Sequence, residues 1–222
     1  MYGKGAAMLD SPVISIIDDD PSVRQATDGL VRSLGYRSAT FASAEDFLQS
    51  DRVDDTSCLI TDVQMPGMSG IELQQQLNLR GAVIPVIFIT GHGDVPMAVA
   101  AMQQGAFDFL QKPFRDQDLI DRIQRALEKD RVNRAELGKR SDLRARHEAL
   151  TPREREVLAL VMSGKANKVM AADLGLSQRT VEVHRARVME KMGASSLAHL
   201  VRMVLDLEES AGPGATKADS AS

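Results

Sequence analysis

Paired cysteines are absent. Cys58 is the only cysteine in 222 residues, so no internal disulfide can staple the chain, and a reducing compartment suits it. Long apolar runs are missing too, and none approaches the ~20 residues that a membrane span needs. The opening stretch MYGKGAAMLDSP holds no apolar segment of the length a secretory signal requires. These absences set aside disulfide scaffolds and membrane spans. The expectation is a soluble cytoplasmic protein with no membrane partner. Hydrophobic residues make up 43%, which is globular. The length leaves room for two modest domains, each with its own core. Cys58 lies in an apolar run and reads as a small core residue.

The formal net charge of -4 hides an asymmetry. From Ser11 to Asp130 there are 18 acidic against 10 basic residues, a net of -8. From Arg144 to Leu207 there are 11 basic against 7 acidic residues, a net of +4. Halves of opposite sign point to different partners. The acidic half can hold a cation, and the basic half can meet a phosphate backbone.

The first half alternates strands and helices. VISII, YRSATF, CLIT, VIPVIFIT and FDFLQ read as strands. Between and after them stand five helical stretches. The first has Asp20 as N-cap, Pro21 in its first turn and Gly35 as its stop. The fourth is VPMAVAAMQQG, whose methionines read as packing or interface residues. Five βα units predict an α/β fold with a parallel sheet covered on both faces. In such sheets ligands sit beyond the carboxyl ends of the strands. Asp18 and Asp19 follow the first strand and Asp62 the third. Thr90 ends the fourth, and Lys112 stands at the end of the fifth. Three carboxylates crowded at one edge repel each other and call for a cation, and hard oxygen ligands suit Mg2+. Asp20 reads as a cap only, and His92 as a lone loop histidine.

This constellation resembles the receiver domain of two-component response regulators. The matching residues are Asp18-Asp19, Asp62 in TDVQMPGMSG, Thr90 in FITGHGD and Lys112 in QKPF. The resemblance implies a flavodoxin-like sheet of order 2-1-3-4-5. It makes Asp62 the phosphoacceptor for a sensor histidine kinase. It places Mg2+ on Asp19, Asp62 and the backbone carbonyl of Gln64, with Asp18 acting through water. It gives Lys112 the task of pairing with Asp62 and then with phosphoryl oxygens. Thr90 donates to a phosphoryl oxygen, and Phe109 holds the family's switch-aromatic position. An aspartyl-phosphate hydrolase often carries a second Asp two residues after its nucleophile. Gln64 stands there in this chain, which weighs against that alternative. A DNA-binding protein with a silent receiver is a second alternative, and the complete five-residue site argues against it.

A long, charged helical segment runs from Asp116 to Leu150, and Gly138 within it predicts a break or hinge. The second half then opens on LTPREREVLALV, with Thr151 as N-cap, Pro152 at the first helical position and Glu154 completing a capping box. SGKANKVMAADLGLSQRTVEVHRARVMEKMGASS follows as helix, tight turn through Gly175, and a second helix capped by Ser177. That is a helix-turn-helix, whose second helix enters a DNA major groove. Arg179, Arg185, Arg187 and Lys191 along it suit phosphate contact.

This stretch resembles the four-helix LuxR-type (GerE) helix-turn-helix, and the chain as a whole resembles the FixJ branch of the FixJ/NarL class. The resemblance implies that Glu182, Val183 and Ala186 face base edges, while Lys165, Thr180, His184 and Arg185 lie near phosphates. Ala186 stands where others of the class often carry a basic residue, which leaves apolar contact and shape readout as contributors. The expected layout is a receiver over 12–130, a helical linker over 131–146, the DNA-binding domain over 147–208 and a disordered tail over 209–222. The expected function is a phosphorelay response regulator. It supports its own phosphorylation and dephosphorylation but turns over no external substrate. It dimerises when phosphorylated and activates transcription at promoter DNA with RNA polymerase.

Overall fold

A computed structural model describes residues 11–91, 99 and 101–210. The leader, the His92 loop, the start of the fourth expected helix and the tail beyond residue 210 lie outside the described residues. The chain divides into two compact units, 1–134 and 135–222.

The first unit is built on five parallel strands: β1 (Val13–Ile17), β2 (Arg37–Phe41), β3 (Thr56–Asp62), β4 (Val86–Thr90) and β5 (Asp108–Gln111). Their order is β2-β1-β3-β4-β5. Every residue of β1 and β4 is buried. Side chains alternate between the faces of a strand, and the partition follows that rule. Ile17, Leu59, Val86 and Phe88 join one core with Phe47, Leu73 and Leu77. Ile14, Ile16, Cys58, Ile60, Ile87 and Ile89 join the other with Val31, Leu119 and Ile123. The helices on the first face are α2 (Ala44–Gln49) and α3 (Gly70–Leu79). Those on the second are α1 (Pro21–Ser33) and the start of α4 (Asp116–Glu148). Both faces are covered, so the inner strands β1 and β4 are buried along their whole length, while β2 and β5 at the sheet's edges are only partly buried.

Local chemistry sets the helix ends. The Asp20 side chain accepts from the Ser22 N–H, and Pro21 opens α1. Ser69 and Glu72 form a reciprocal capping box at α3. Gly35 takes φ 82 after α1, a conformation that a residue with Cβ resists.

The break expected at Gly138 does not occur: α4 is continuous over 33 residues. One glycine costs a helix about 1 kcal/mol relative to alanine. Against that stand the ion pairs Glu128–Arg131, Asp130–Arg134 and Asp142–Arg146, each one turn apart. Asp116 and Asp118 in the first turn, and Arg146 and His147 in the last, complement the helix dipole.

The second unit holds the end of α4 and four further helices: α5 (Pro152–Met162), α6 (Asn167–Leu174), α7 (Gln178–Met192) and α8 (Leu197–Ser210). Its core gathers Leu150, Val157, Leu158, Met170, Val181, Val188, Met192, Leu200 and Val204. Thr151 and Glu154 make the expected capping box. Gly175 at φ 65 ends α6, and Ser177 caps α7. Helix α8 reaches Ser210, inside the stretch expected to be disordered from residue 209.

Candidate functional site

Register brings the carboxylates together. Ile17 of β1 pairs with Thr61 of β3, so Asp18 and Asp62, each one residue further on, stand level on neighbouring strands about 5 Å apart. Strand β5 lies two strands beyond β3, about 10 Å away, and Lys112 has the length to cross. Its Nζ donates to Asp62 Oδ2 at 3.0 Å and to Asp18 Oδ2 at 3.1 Å. The Lys112 N–H donates to the Thr90 carbonyl at 2.8 Å, which fixes the root of the side chain beside the end of β4. Thr90 itself is buried.

The remaining carboxylate oxygens are also held. Asp62 Oδ1 accepts from the Gln64 N–H at 3.0 Å, and Asp18 Oδ1 from the Asp20 N–H at 2.9 Å. One ammonium against two carboxylates leaves a net negative charge in a half-buried place. Burial accordingly raises the Asp18 carboxyl above its ordinary range. The Lys112 and Asp20 hydrogen bonds oppose that rise without cancelling it, and Asp62 adds to it. Burial alone lowers Lys112, but its bonds to Asp62 and Asp18 outweigh that, so its ammonium is held more firmly than usual.

Asp19 is exposed and takes no part in the Lys112 bridge. Among the described residues, no three carboxylate, imidazole or thiolate side chains form a ready-made metal cluster. The donor chemistry at this edge is oxygen only and under-neutralised, which fits a hard divalent cation and no soft one. Phe109 is half-buried on β5 and packs against the core shared by Phe88 and Leu73.

In the second unit, α7 presents two faces. Val181, Val188 and Met192 are buried. Arg179, Glu182, Val183, Ala186 and Arg187 are exposed, at a spacing that places them on one side of the helix. Thr180, His184 and Arg185 are half-buried beside that face. Several of the expected phosphate contacts are engaged within the unit. Lys165 pairs with Asp173 at 2.6 Å, Arg185 bonds the Asn167 side chain, and Lys191 bonds Glu154 at 2.7 Å. The His184 Nδ1 is buried without a hydrogen-bond partner.

Comparison with known proteins finds a domain match in each unit. Residues 14–124 match the response regulator receiver domain, and residues 148–204 match the bacterial regulatory proteins of the luxR family. Nodulation protein W of Bradyrhizobium diazoefficiens is 48% identical over 86% of this chain and 84% of its own. The transcriptional regulatory protein FixJ of Azorhizobium caulinodans is 47% identical over 89% of this chain and 94% of its own. The solved structure of the response regulator StyR superposes with a TM-score of 0.79 at 43% identity, covering 88% of this chain and 99% of that one. The chain belongs to the two-component response regulators with a LuxR-type DNA-binding domain. As such it works with a histidine kinase and binds DNA to regulate transcription, and it is not an enzyme of the ordinary kind. Among the described residues no helix is long and apolar enough to cross a membrane.

Two residues at this regulator's acidic edge escaped the sequence reading. The Arg24 guanidinium bonds the Asp18 carbonyl from the first turns of α1. Gly70 lies so close to β3 that a Cβ there would collide with the Asp62 carbonyl oxygen and stand 3.0 Å from the Phe88 ring. The Gly70 N–H also donates to the Val63 carbonyl at 3.0 Å. Ser69-Gly70 reads in sequence as a helix start, and nothing in that pattern shows the close packing against the Asp62 backbone.

Proposed function

We propose that Asp62 is the phosphoacceptor of this response regulator. The observation that supports this most is the Lys112 ammonium held between Asp62 and Asp18 at the carboxyl edge of the sheet. An Asp62 oxygen attacks the phosphorus of the kinase's phosphohistidine. The P–N bond breaks, its electron pair stays on the imidazole, and an acyl phosphate forms. Asp19, Asp62 and the Gln64 carbonyl would hold Mg2+, and Asp18 would act on it through water. When bound, Mg2+ neutralises charge on the transferring group. Lys112 follows the charge from the carboxylate to the phosphoryl oxygens. Thr90 donates to one of those oxygens, and Phe109 moves inward with it. The same site supports loss of the phosphoryl group to water.

The output is dimerisation and activation of transcription with RNA polymerase, in the cytoplasm. A dimer presents two helix-turn-helix modules to paired half-sites, so affinity rises through effective concentration without a new base contact. Glu182, Val183 and Ala186 face base edges. Arg179, Thr180, His184, Arg185, Arg187 and Lys165 serve the phosphates. The test is incubation with acetyl phosphate and Mg2+, read by phosphate-affinity electrophoresis, for the wild-type chain and Asp62→Asn. The amide keeps the volume and loses the nucleophile, so the variant takes up no phosphoryl group. Equal labelling of both chains overturns the assignment.

A further inference from the structure

Lys191 lies on the DNA-reading helix, yet its Nζ points into the unit. It donates to Glu154 Oε2 at 2.7 Å and to the Ala149 carbonyl at 3.2 Å. Glu154 is only 2% exposed although it is an acid. Its Oε2 also accepts from the Thr151 N–H at 2.8 Å, so one oxygen joins the start of α5 to the last turn of α7. A second bond runs the other way. Arg146, near the end of α4, donates through Nη1 to the Met192 carbonyl at 3.2 Å, and its Nη2 pairs with Asp142 at 2.8 Å.

The Met192 carbonyl is one of the four that the end of a helix leaves unpaired, and a cation there also suits the helix dipole. Gly193, at φ 70, leaves the room: a Cβ on it would collide with the Arg146 guanidinium. The carboxyl end of α7 is thus tied to the end of α4 by two reciprocal side-chain-to-carbonyl bonds, with buried Glu154 beneath them.

We propose that Arg146, Glu154 and Lys191 form a latch that fixes the angle at which α7 is presented to DNA, and that Lys191 is a positioning residue there, not a phosphate contact. This rests on the reading of α7 as the recognition helix. A tilt about an untied end moves Val183 and Ala186 off the base edges and leaves the basic surface in place. Loss of the latch therefore costs sequence-specific binding far more than binding to DNA of any sequence, which draws on phosphate contacts alone. A phosphate-contacting lysine behaves oppositely: its loss weakens all duplexes alike and reduces the salt slope by about one.

The experiment uses the full-length chain after acetyl phosphate treatment. Its probes are a duplex that the wild-type chain selects from a random-sequence pool, and the unselected pool. Binding is read by fluorescence anisotropy at several salt concentrations. Lys191→Met is expected to lose about tenfold on the selected duplex and less than about twofold on the pool, with the salt slope kept. Lys191→Arg restores the selected binding. Glu154→Gln shifts in the same direction as Lys191→Met even though it removes a negative charge, and the double variant is no worse than the weaker single. Where Glu154→Gln fails to fold by circular dichroism, Arg146→Met takes its place with the same expectation.

Uniform loss on both duplexes with a salt slope lower by about one makes Lys191 a phosphate contact and overturns the latch. So does unchanged selected binding in Lys191→Met. If the wild-type chain binds the pool but selects no sequence from it, the recognition reading of α7 falls first and the latch with it.

Discussion

Each unit buries a carboxylate against a lysine, and the two pairs end in opposite electrostatic states. In the second unit the Lys191 bond, and after it the Thr151 N–H, hold the Glu154 carboxyl down at about 2. In the first unit the Asp18 carboxyl is raised, because burial outweighs its bonds to Lys112 and to the Asp20 N–H. Burial is the largest cause at Asp18, and the division of charge adds to it. Lys191 serves one carboxylate, whereas Lys112 is shared between two. A satisfied pair holds structure together. An under-neutralised pair leaves a demand for positive charge, which a hard cation can meet.

Exchanging each lysine for methionine breaks the comparison most sharply. Lys112→Met is expected to slow phosphoryl uptake from acetyl phosphate about 100-fold, the usual loss when one preorganised cation is removed from a transferring group. Lys191→Met leaves that rate unchanged. A time course by phosphate-affinity electrophoresis separates them, and equal rates for Lys112→Met and wild type would remove the functional half of the contrast.

The next effect concerns the frame around Asp62. Gly70→Ala forces a methyl group against the Asp62 carbonyl and the Phe88 ring, neither of which can swing aside. A loss of about 2 kcal/mol is expected from overpacking of this kind, together with slower phosphorylation. Urea unfolding followed by circular dichroism measures the first. A variant as stable as wild type would show that β3 and α3 separate easily.

Acid sharpens the comparison through the sign of each shift. Glu154 sits at about 2 in the folded chain against an ordinary 4.5. Its carboxylate therefore contributes stability that is complete above pH 4.5 and is lost as the pH falls towards 2. Asp18 is raised above its ordinary 3.8, so its folded state favours the proton. Its contribution is fully present below 3.8 and is lost as the pH rises through the folded value. Glu154→Gln is expected to lower stability at neutral pH and to flatten the acid limb between 4.5 and about 2. Asp18→Asn is expected to raise stability at neutral pH by about 1 kcal/mol, as substitutions that relieve a strained functional site often do. Denaturation midpoints across that pH range test both, and a destabilised Asp18→Asn chain would place Asp18 with Glu154 as a structural residue.

The strands and caps were legible because period and capping are local signals. Asp20, Ser177 and the Thr151–Glu154 box all announce helix starts within four residues of chain. The acidic edge was legible because strand ends carry function in parallel sheets, and Asp18, Asp62 and Lys112 stand at three of them. Long-range geometry was not legible. Sequence gives no sign that Lys112 also reaches Asp18, that Arg24 bonds the Asp18 carbonyl, or that Gly70 must lack a side chain. Lys191 shows the same limit: its position on α7 reads as a phosphate contact, while its partner Glu154 is 37 residues away. Gly138 was misread because its propensity was weighed alone, without the ion pairs on either side.

That misreading leads to the smallest effect and to a comparison of two glycines, one from each unit. Gly70 has no room for a Cβ, whereas nothing lies within 4 Å of one at Gly138. Gly138 is helical and lies within an unbroken helix, so Gly138→Ala loses no contact and reduces the freedom of the unfolded chain. The expected gain is about 0.5–1 kcal/mol, seen as a later unfolding midpoint in urea and a slightly stronger helical signal in circular dichroism. DNA binding before and after acetyl phosphate treatment should be unchanged, because a position that is already helical gives up no functional bend. If alanine instead weakens the response to phosphorylation while raising stability, Gly138 is retained for bending in a state other than this one. The sequence's original sign of a hinge would then describe the activated chain.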